Sequence, residues 1–111
     1  MTFDEYQKKA MTTAHKAYDD ERMQQSIWVM GIAGESGEII EKWKKIIAYR
    51  EGKITQEDLD ELGKEIGDVI WYAAVFANSL GLSLDEIMQK NVAKLQDRKK
   101  RDVITGQGDN R

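Results

Sequence analysis

The segment EIGDVIWYAAVFANSL, residues 65–80, decides the fold class, because a long apolar stretch carries acids at helical spacing. Glu65 and Asp68 are three residues apart, so both carboxylates project from one face of a helix. The earlier segment GIAGESGEII, residues 31–40, repeats the arrangement with Glu35 and Glu38. A carboxylate beside an apolar face needs a compensating charge, since desolvating an anion alone is costly. The two segments therefore predict two helices whose acids converge on a cation.

The predicted cation is Mg²⁺ or Mn²⁺, because hard oxygen ligands suit these ions. The four predicted ligands, which are also the predicted catalytic residues, are Glu35, Glu38, Glu65 and Asp68. Iron sites in helical bundles commonly use Glu-x-x-His motifs, but the single histidine, His15, is distant from both acidic pairs in sequence. A metal here would polarise a phosphoryl oxygen for attack by water. Lys94 and Arg98, four residues apart, are spaced to hold a phosphate chain.

Apolar periodicity predicts an all-α protein, a four-helix bundle over residues 1–101 followed by a loop or tail over residues 102–111. Thr2, Thr55 and Ser83 are predicted N-caps. The predicted helices run from about Phe3 to Tyr18, from Gln25 to Tyr49, from just after Thr55 to just before Gly81, and from just after Ser83 to near Arg101. A third-helix stripe is predicted to enter the core; it consists of Leu59, Leu62, Ile66, Val69, Ala73, Phe76 and Leu80.

Composition narrows the functional class. The chain has 111 residues, no cysteine and a net charge of −3, which predicts one domain with a modest core that a partner subunit could extend. Disulfides and thiolate zinc sites are excluded, and an acidic protein is a poor nucleic-acid binder. No apolar run approaches the roughly 18 residues of a membrane span. The polar, acidic N-terminus is unlike a signal peptide, so we expect a cytoplasmic protein without a membrane or nucleic-acid partner.

Taken in order, the motifs resemble those of the MazG-like all-α nucleoside triphosphate pyrophosphohydrolases. Residues 31–38 with Lys44 and Lys45 are similar to the first motif of that family, and residues 65–72 are similar to its second motif. The pattern Asn91-x-x-Lys94-Leu95-x-x-Arg98 is similar to the third motif. Tyr6 and Gln7 are similar to the start of the family sequence. The resemblance spans nearly the whole chain.

The resemblance implies hydrolysis of a nucleoside triphosphate between its α- and β-phosphates, for control of the nucleotide pool. It implies that the four acids bind Mg²⁺ and that one glutamate also orients the attacking water. Lys94 and Arg98 would then bind phosphates, and Asn91 would contact the metal-bound substrate or its sugar. Gln7 is included among the expected substrate contacts. A homodimer or homotetramer is implied, with sites completed by a second subunit.

Several alternatives stay open at this point. Trp28, Trp43, Trp71 and Tyr72 are expected in the core or at a subunit interface, with a base-stacking role for Trp28 or Trp71 as the alternative. A narrower dUTP or dCTP diphosphatase is an alternative within the same enzyme class. A helical metal-binding or interaction protein without turnover is the alternative from another class. A small DNA-binding adaptor ranks below these because of the net charge.

Overall fold

The computed structural model describes residues 1–102, which contain four α-helices and no strands. The helices are α1 (Phe3–Met11), α2 (Glu21–Arg50), α3 (Gln56–Ser79) and α4 (Leu84–Lys100). The prediction of an all-α fold with four helices is confirmed. The predicted tail, apart from Asp102, lies outside the described residues, so the division into a domain and a tail stays a prediction.

The first helix is shorter than predicted, ending at Met11 instead of Tyr18. Thr12 and Thr13 donate their hydroxyls to the carbonyl oxygens of Lys9 and Ala10, at 2.6 and 3.0 Å. These bonds satisfy carbonyls at the helix end, where no further turn supplies donors. Beyond them, Gln24 Oε1 accepts hydrogen bonds from the backbone N–H groups at positions 17 and 18, at 2.7 and 3.2 Å. The link is thus held in a non-helical conformation by side chains that periodicity does not reveal.

The long helices α2 and α3 form an antiparallel hairpin. Helix α2 begins at Glu21, earlier than predicted, because Asp20 accepts a hydrogen bond from the Arg22 backbone N–H at 3.0 Å. At the turn, Gly52 has φ 77°, a left-handed conformation that glycine adopts at low cost. The predicted N-cap Thr55 begins α3 through a full capping box with Asp58. The turn therefore sets two long helices side by side along most of their length.

Helices α1 and α4 pack on α3 and on each other. The buried Gln7 amide of α1 donates to the carbonyl oxygens of Ala74 and Leu82, at 3.0 and 3.1 Å, and accepts from the Leu84 N–H at 3.2 Å. Asp4 accepts hydrogen bonds from the Ser83 hydroxyl and the Asp85 N–H. Both side chains tie α1 to the start of α4.

The buried core is small, as the composition predicted. Its central cluster contains Ala10, Trp28 and Val75, so it joins α1, α2 and α3. The predicted α3 core stripe is wrong in part, because Leu59 and Ile66 are 51% and 49% exposed. Helical periodicity identifies an apolar face but not whether another part of the same chain covers it.

Among the described residues, no single helix is both long enough and apolar enough to cross a membrane. Helices α3 and α4 meet the length and composition criteria only together, as a pair bent by 108°.

Candidate metal centre

The α2–α3 hairpin sets the predicted acids against each other. Gly31 faces Tyr72, because a Cβ on Gly31 would overlap the Tyr72 ring. Lys42 faces Glu61, with 3.7 Å between its Nζ and the Glu61 carboxylate. As the helices are antiparallel, the acids at positions 35, 38, 65 and 68 lie between these two contacts. The spacing of three in both sequence motifs thus becomes one acidic stretch along the helix interface.

Three of the four acids converge closely. One carboxylate oxygen from each of Glu35, Glu38 and Glu65 lies within 4.8 Å of the others. Glu35 and Glu65 are half-buried, and Glu38 is exposed. Like charges at this distance repel each other by an amount that grows as water is excluded. A bound cation would turn this repulsion into attraction.

Two buried oxygen atoms of this triad lack a hydrogen-bond partner among residues 1–102. Within residues 1–102, Glu35 Oε2 and Glu65 Oε2 are the buried side-chain oxygens that accept no hydrogen bond. An unsatisfied buried acceptor costs roughly 1–3 kcal/mol, and more when it is charged. Oxygen donors that converge without protein donors are the ligand chemistry of Mg²⁺ and Mn²⁺. The residues present therefore fit such an ion.

The electrostatics of Glu38 reflect the same crowding. Its pKa is raised above the ordinary value, first because its carboxyl can share a hydrogen bond with Glu65 and next because the Glu65 charge opposes its ionisation. Desolvation and the Asp68 charge act in the same direction, while Lys42 opposes them. In the protein alone, this crowding thus disfavours the ionised form of Glu38, and the charge of a bound cation would act in the opposite direction.

Asp68 is the fourth predicted ligand, and the structure places it next to the triad rather than in it. Its charge helps to raise the pKa of Glu38 and also that of Tyr6, whose pKa is raised chiefly by burial. Asp68 is exposed. Its predicted metal contact stays a prediction.

Sequence reasoning gave Lys42 no role in the site. Lys42 follows Glu38 by four residues, so it lies one turn further along the same face of α2. Its pairing with Glu61 puts one positive charge at the turn-side end of the acidic cluster. The i, i+4 spacing from Glu38 was a usable signal, but only the α2–α3 register shows which acid on α3 it meets.

Two residues that were predicted to contact the substrate, Gln7 and Trp28, are buried. The Gln7 amide is buried and makes three hydrogen bonds to backbone groups, which give it a role within the fold, and its substrate contact stays a prediction. Trp28 is 7% exposed and belongs to the core cluster. Trp28 also lines a cavity of about 240 Å³ at the start of α2. This agrees with the expected core position and leaves base stacking as a prediction.

The third predicted motif lies on α4. Asn91 is exposed, Lys94 is half-buried, and Arg98 is only 3% exposed. The spacing of three and four residues sets all three on one face of the helix. Helix α4 contacts α1 and α3, whereas the acidic triad lies between α2 and α3. The phosphate and sugar contacts of this motif stay predictions.

The chain is similar in sequence to known proteins. The family model of the MazG nucleotide pyrophosphohydrolase domain matches residues 24–103, which include the triad and the α4 motif. The chain is also similar to the Gene 37 protein of Mycobacterium phage L5, with 54% identity over 82 residues, covering 74% of this chain and 72% of the phage protein. No solved structure matches the chain.

Proposed function

The chain belongs to the family of MazG nucleotide pyrophosphohydrolases, and on this premise we propose that it hydrolyses nucleoside triphosphates between the α- and β-phosphates. The products are a nucleoside monophosphate and pyrophosphate, and the role is control of the nucleotide pool. The observation that carries this proposal is the pair of buried glutamate oxygens without hydrogen-bond partners in the described chain. These oxygens suit the acidic triad to bind a divalent cation. Phosphate substrates are commonly bound together with such a cation.

The proposed ligands are Glu35, Glu38 and Glu65, joined by Asp68. When bound, Mg²⁺ or Mn²⁺ would neutralise charge on the phosphate oxygens. Glu38 is the exposed member of the triad, and we assign it to orient the attacking water and accept its proton. The water oxygen forms a bond to phosphorus as the α–β bridging bond breaks and pyrophosphate leaves. Lys42, beside the triad, offers a positive charge to the phosphate chain.

We also propose that a second copy of this chain covers part of the hairpin. Helical spacing sets Ile40, Trp43 and Ile47 on one side of α2, and they are 67%, 46% and 52% exposed. On α3, Leu59 and Ile66 are seven residues apart, so they share one face of that helix, and they are 51% and 49% exposed. Exposed apolar residues grouped on a helix face favour an interaction site. Light scattering tests the proposal: it requires a dimer or tetramer that Trp43→Asp dissociates, and a monomeric wild-type protein would refute it.

The test of the reaction is a panel of ribo- and deoxyribonucleoside triphosphates, assayed with Mg²⁺, with Mn²⁺ and with chelator. The proposal requires metal-dependent release of monophosphate and pyrophosphate in equal amounts. The panel also separates a broad enzyme from one restricted to dUTP or dCTP. Release of diphosphate and orthophosphate would contradict α–β cleavage. No release from folded protein across the panel would contradict the proposed activity.

A further inference from the structure

We propose that the contact between Gly31 and Tyr72 sets the spacing of α2 and α3 and so makes the carboxylate site selective for a small cation. The inference rests on the proposed metal site, and Gly31 and Tyr72 act in it as positioning residues. Neither residue is a predicted ligand. Both lie on the helix faces that carry the ligands, one turn from them.

The first observation is the absence of space at Gly31. A Cβ at this position would overlap Cδ1, Cε1 and Cζ of the Tyr72 ring, so the ring lies on bare backbone. Glycine in the interior of a helix costs up to about 1 kcal/mol relative to alanine. The close approach of the ring to α2 explains why the helix carries this glycine.

The second observation is that the ring packs against other parts of the molecule. Tyr72 packs edge-to-face with Trp71, with ring centroids 5.0 Å apart and an interplanar angle of 88°. The Trp71 indole N–H donates to the Thr13 hydroxyl at 3.0 Å, which ties the pair to the end of α1. Both rings also pack against the central core cluster. Because these contacts oppose displacement of the half-buried ring, we expect a side chain added at Gly31 to push the helices apart.

The third observation is the distance to the site. Glu35 follows Gly31 by four residues, and Asp68 precedes Tyr72 by four, so the contact is one turn, roughly 6 Å of rise, from acids on both helices. Any separation at the contact thus widens the gap that Glu35 and Glu65 span. Mg²⁺ needs oxygen ligands at about 2.0–2.1 Å, whereas Ca²⁺ accepts about 2.3–2.6 Å and irregular geometry. A wider gap penalises Mg²⁺ more than Ca²⁺.

The experiment is calorimetric titration of Mg²⁺ and of Ca²⁺ into protein without nucleotide. In Gly31→Ala, we expect the affinity for Mg²⁺ to fall roughly tenfold, the scale of disturbed support around a metal site, and the affinity for Ca²⁺ to fall less. The matched control is Gly34→Ala, because a Cβ at Gly34 meets nothing within 4 Å although the residue adjoins Glu35. The control should keep the wild-type ratio of the two affinities.

Variants at Tyr72 keep the proposal testable if Gly31→Ala does not fold. Tyr72→Phe keeps the ring and should keep the wild-type ratio of Mg²⁺ to Ca²⁺ affinity. Tyr72→Leu removes the ring that sets the spacing, so this ratio should depart from the wild-type value. A lower melting temperature with an unchanged ratio in Gly31→Ala or Tyr72→Leu would overturn the proposal, since it would reveal a purely structural contact. Binding of neither ion to the wild-type protein would overturn the metal site itself, and with it this inference.

Discussion

Two regions of the interface between α2 and α3 hold carboxylates in contrasting environments. Near the turn, Asp58 lies 2.6 Å from the Arg50 guanidinium and accepts a hydrogen bond from the Thr55 N–H at 2.8 Å. In the middle of the same hairpin, the Oε2 atoms of Glu35 and Glu65 are buried and accept no hydrogen bond from the described chain. Both regions put acids between the same helices, so helical packing alone does not explain the difference.

Asp58 therefore stabilises the fold, whereas Glu35 and Glu65 are available to bind a ligand. Arg50 and Thr55 keep the pKa of Asp58 well below its ordinary value, so Asp58 carries a stable charge with a partner for that charge. Crowding raises the pKa of Glu38 instead. Residues at functional sites commonly have pKa values that are shifted by burial and by neighbouring charges. Variants that exchange one carboxylate for its amide test this contrast.

The largest effect is expected from Glu65→Gln. The amide keeps the shape of the side chain but loses the charge and one ligand oxygen. We expect kcat/KM for metal-dependent pyrophosphate release to fall more than about 100-fold, the upper cost of losing an outer partner of a metal. Asp58→Asn makes the same chemical change in the paired region and should keep its activity. Full activity in Glu65→Gln would remove that glutamate from the site.

A smaller and opposite effect is expected on stability from Glu35→Gln. In chelator, the substitution removes the repulsion between neighbouring carboxylates and removes a buried charge without a partner. The free energy of unfolding of the variant should therefore exceed that of the wild type by on the order of 1 kcal/mol. In excess Mg²⁺ the order should reverse, because ligand binding stabilises only a protein that retains the site. Thermal unfolding in chelator and in excess Mg²⁺ measures this reversal in the order of stability. A variant less stable than wild type in chelator would show that Glu35 has a structural partner.

Asp58→Asn should lower the melting temperature by a few degrees without changing the metal response. The variant loses the ion pair with Arg50 and weakens the capping box at Thr55, both of which fix the start of α3. Thermal unfolding with and without Mg²⁺ gives both quantities. An altered metal response would mean that the two regions are coupled, and the contrast between them would fail.

The smallest expected effect is a loss of stability at low pH. The pKa of Asp58 is lowered by Arg50 and Thr55, and that of Asp4 is lowered by the Asp85 N–H and the Ser83 hydroxyl. For a lowered pKa, the stabilisation is complete above the ordinary value of about 4 and is lost as the pH falls towards the folded value. Melting temperatures should therefore fall below about pH 4–5. A double Asp4→Asn, Asp58→Asn variant should lose less stability over the same range.

The elements of the fold were accessible from the sequence because α2 and α3 are long and strongly patterned. The N-caps Thr55 and Ser83 were also predicted, and each accepts the backbone hydrogen bond expected of a cap. The end of α1 was not predictable from periodicity, since it depends on Gln24, which reaches back from α2 to the link. Long-range hydrogen bonds of this kind leave no trace in local spacing.

The candidate site was predictable to a similar degree. The i, i+3 spacing indicated which acids share a face, and the structure brings Glu35, Glu38 and Glu65 together. The spacing could not show that Asp68 lies beside this triad, because that depends on the register of two helices. Gln7 was assigned to substrate by resemblance, while its burial against α3 and α4 gives it a role within the fold. Such a role depends on tertiary contacts.

Calorimetric titration of Mg²⁺ into the wild-type protein and into Glu65→Gln, without nucleotide, tests the central claim most directly. We expect saturable binding of Mg²⁺ to the wild-type protein. Glu65→Gln should lose this binding while remaining folded. Equal binding by both proteins, or none by the wild type, would contradict the claim that the unpaired acids of the hairpin are a metal site.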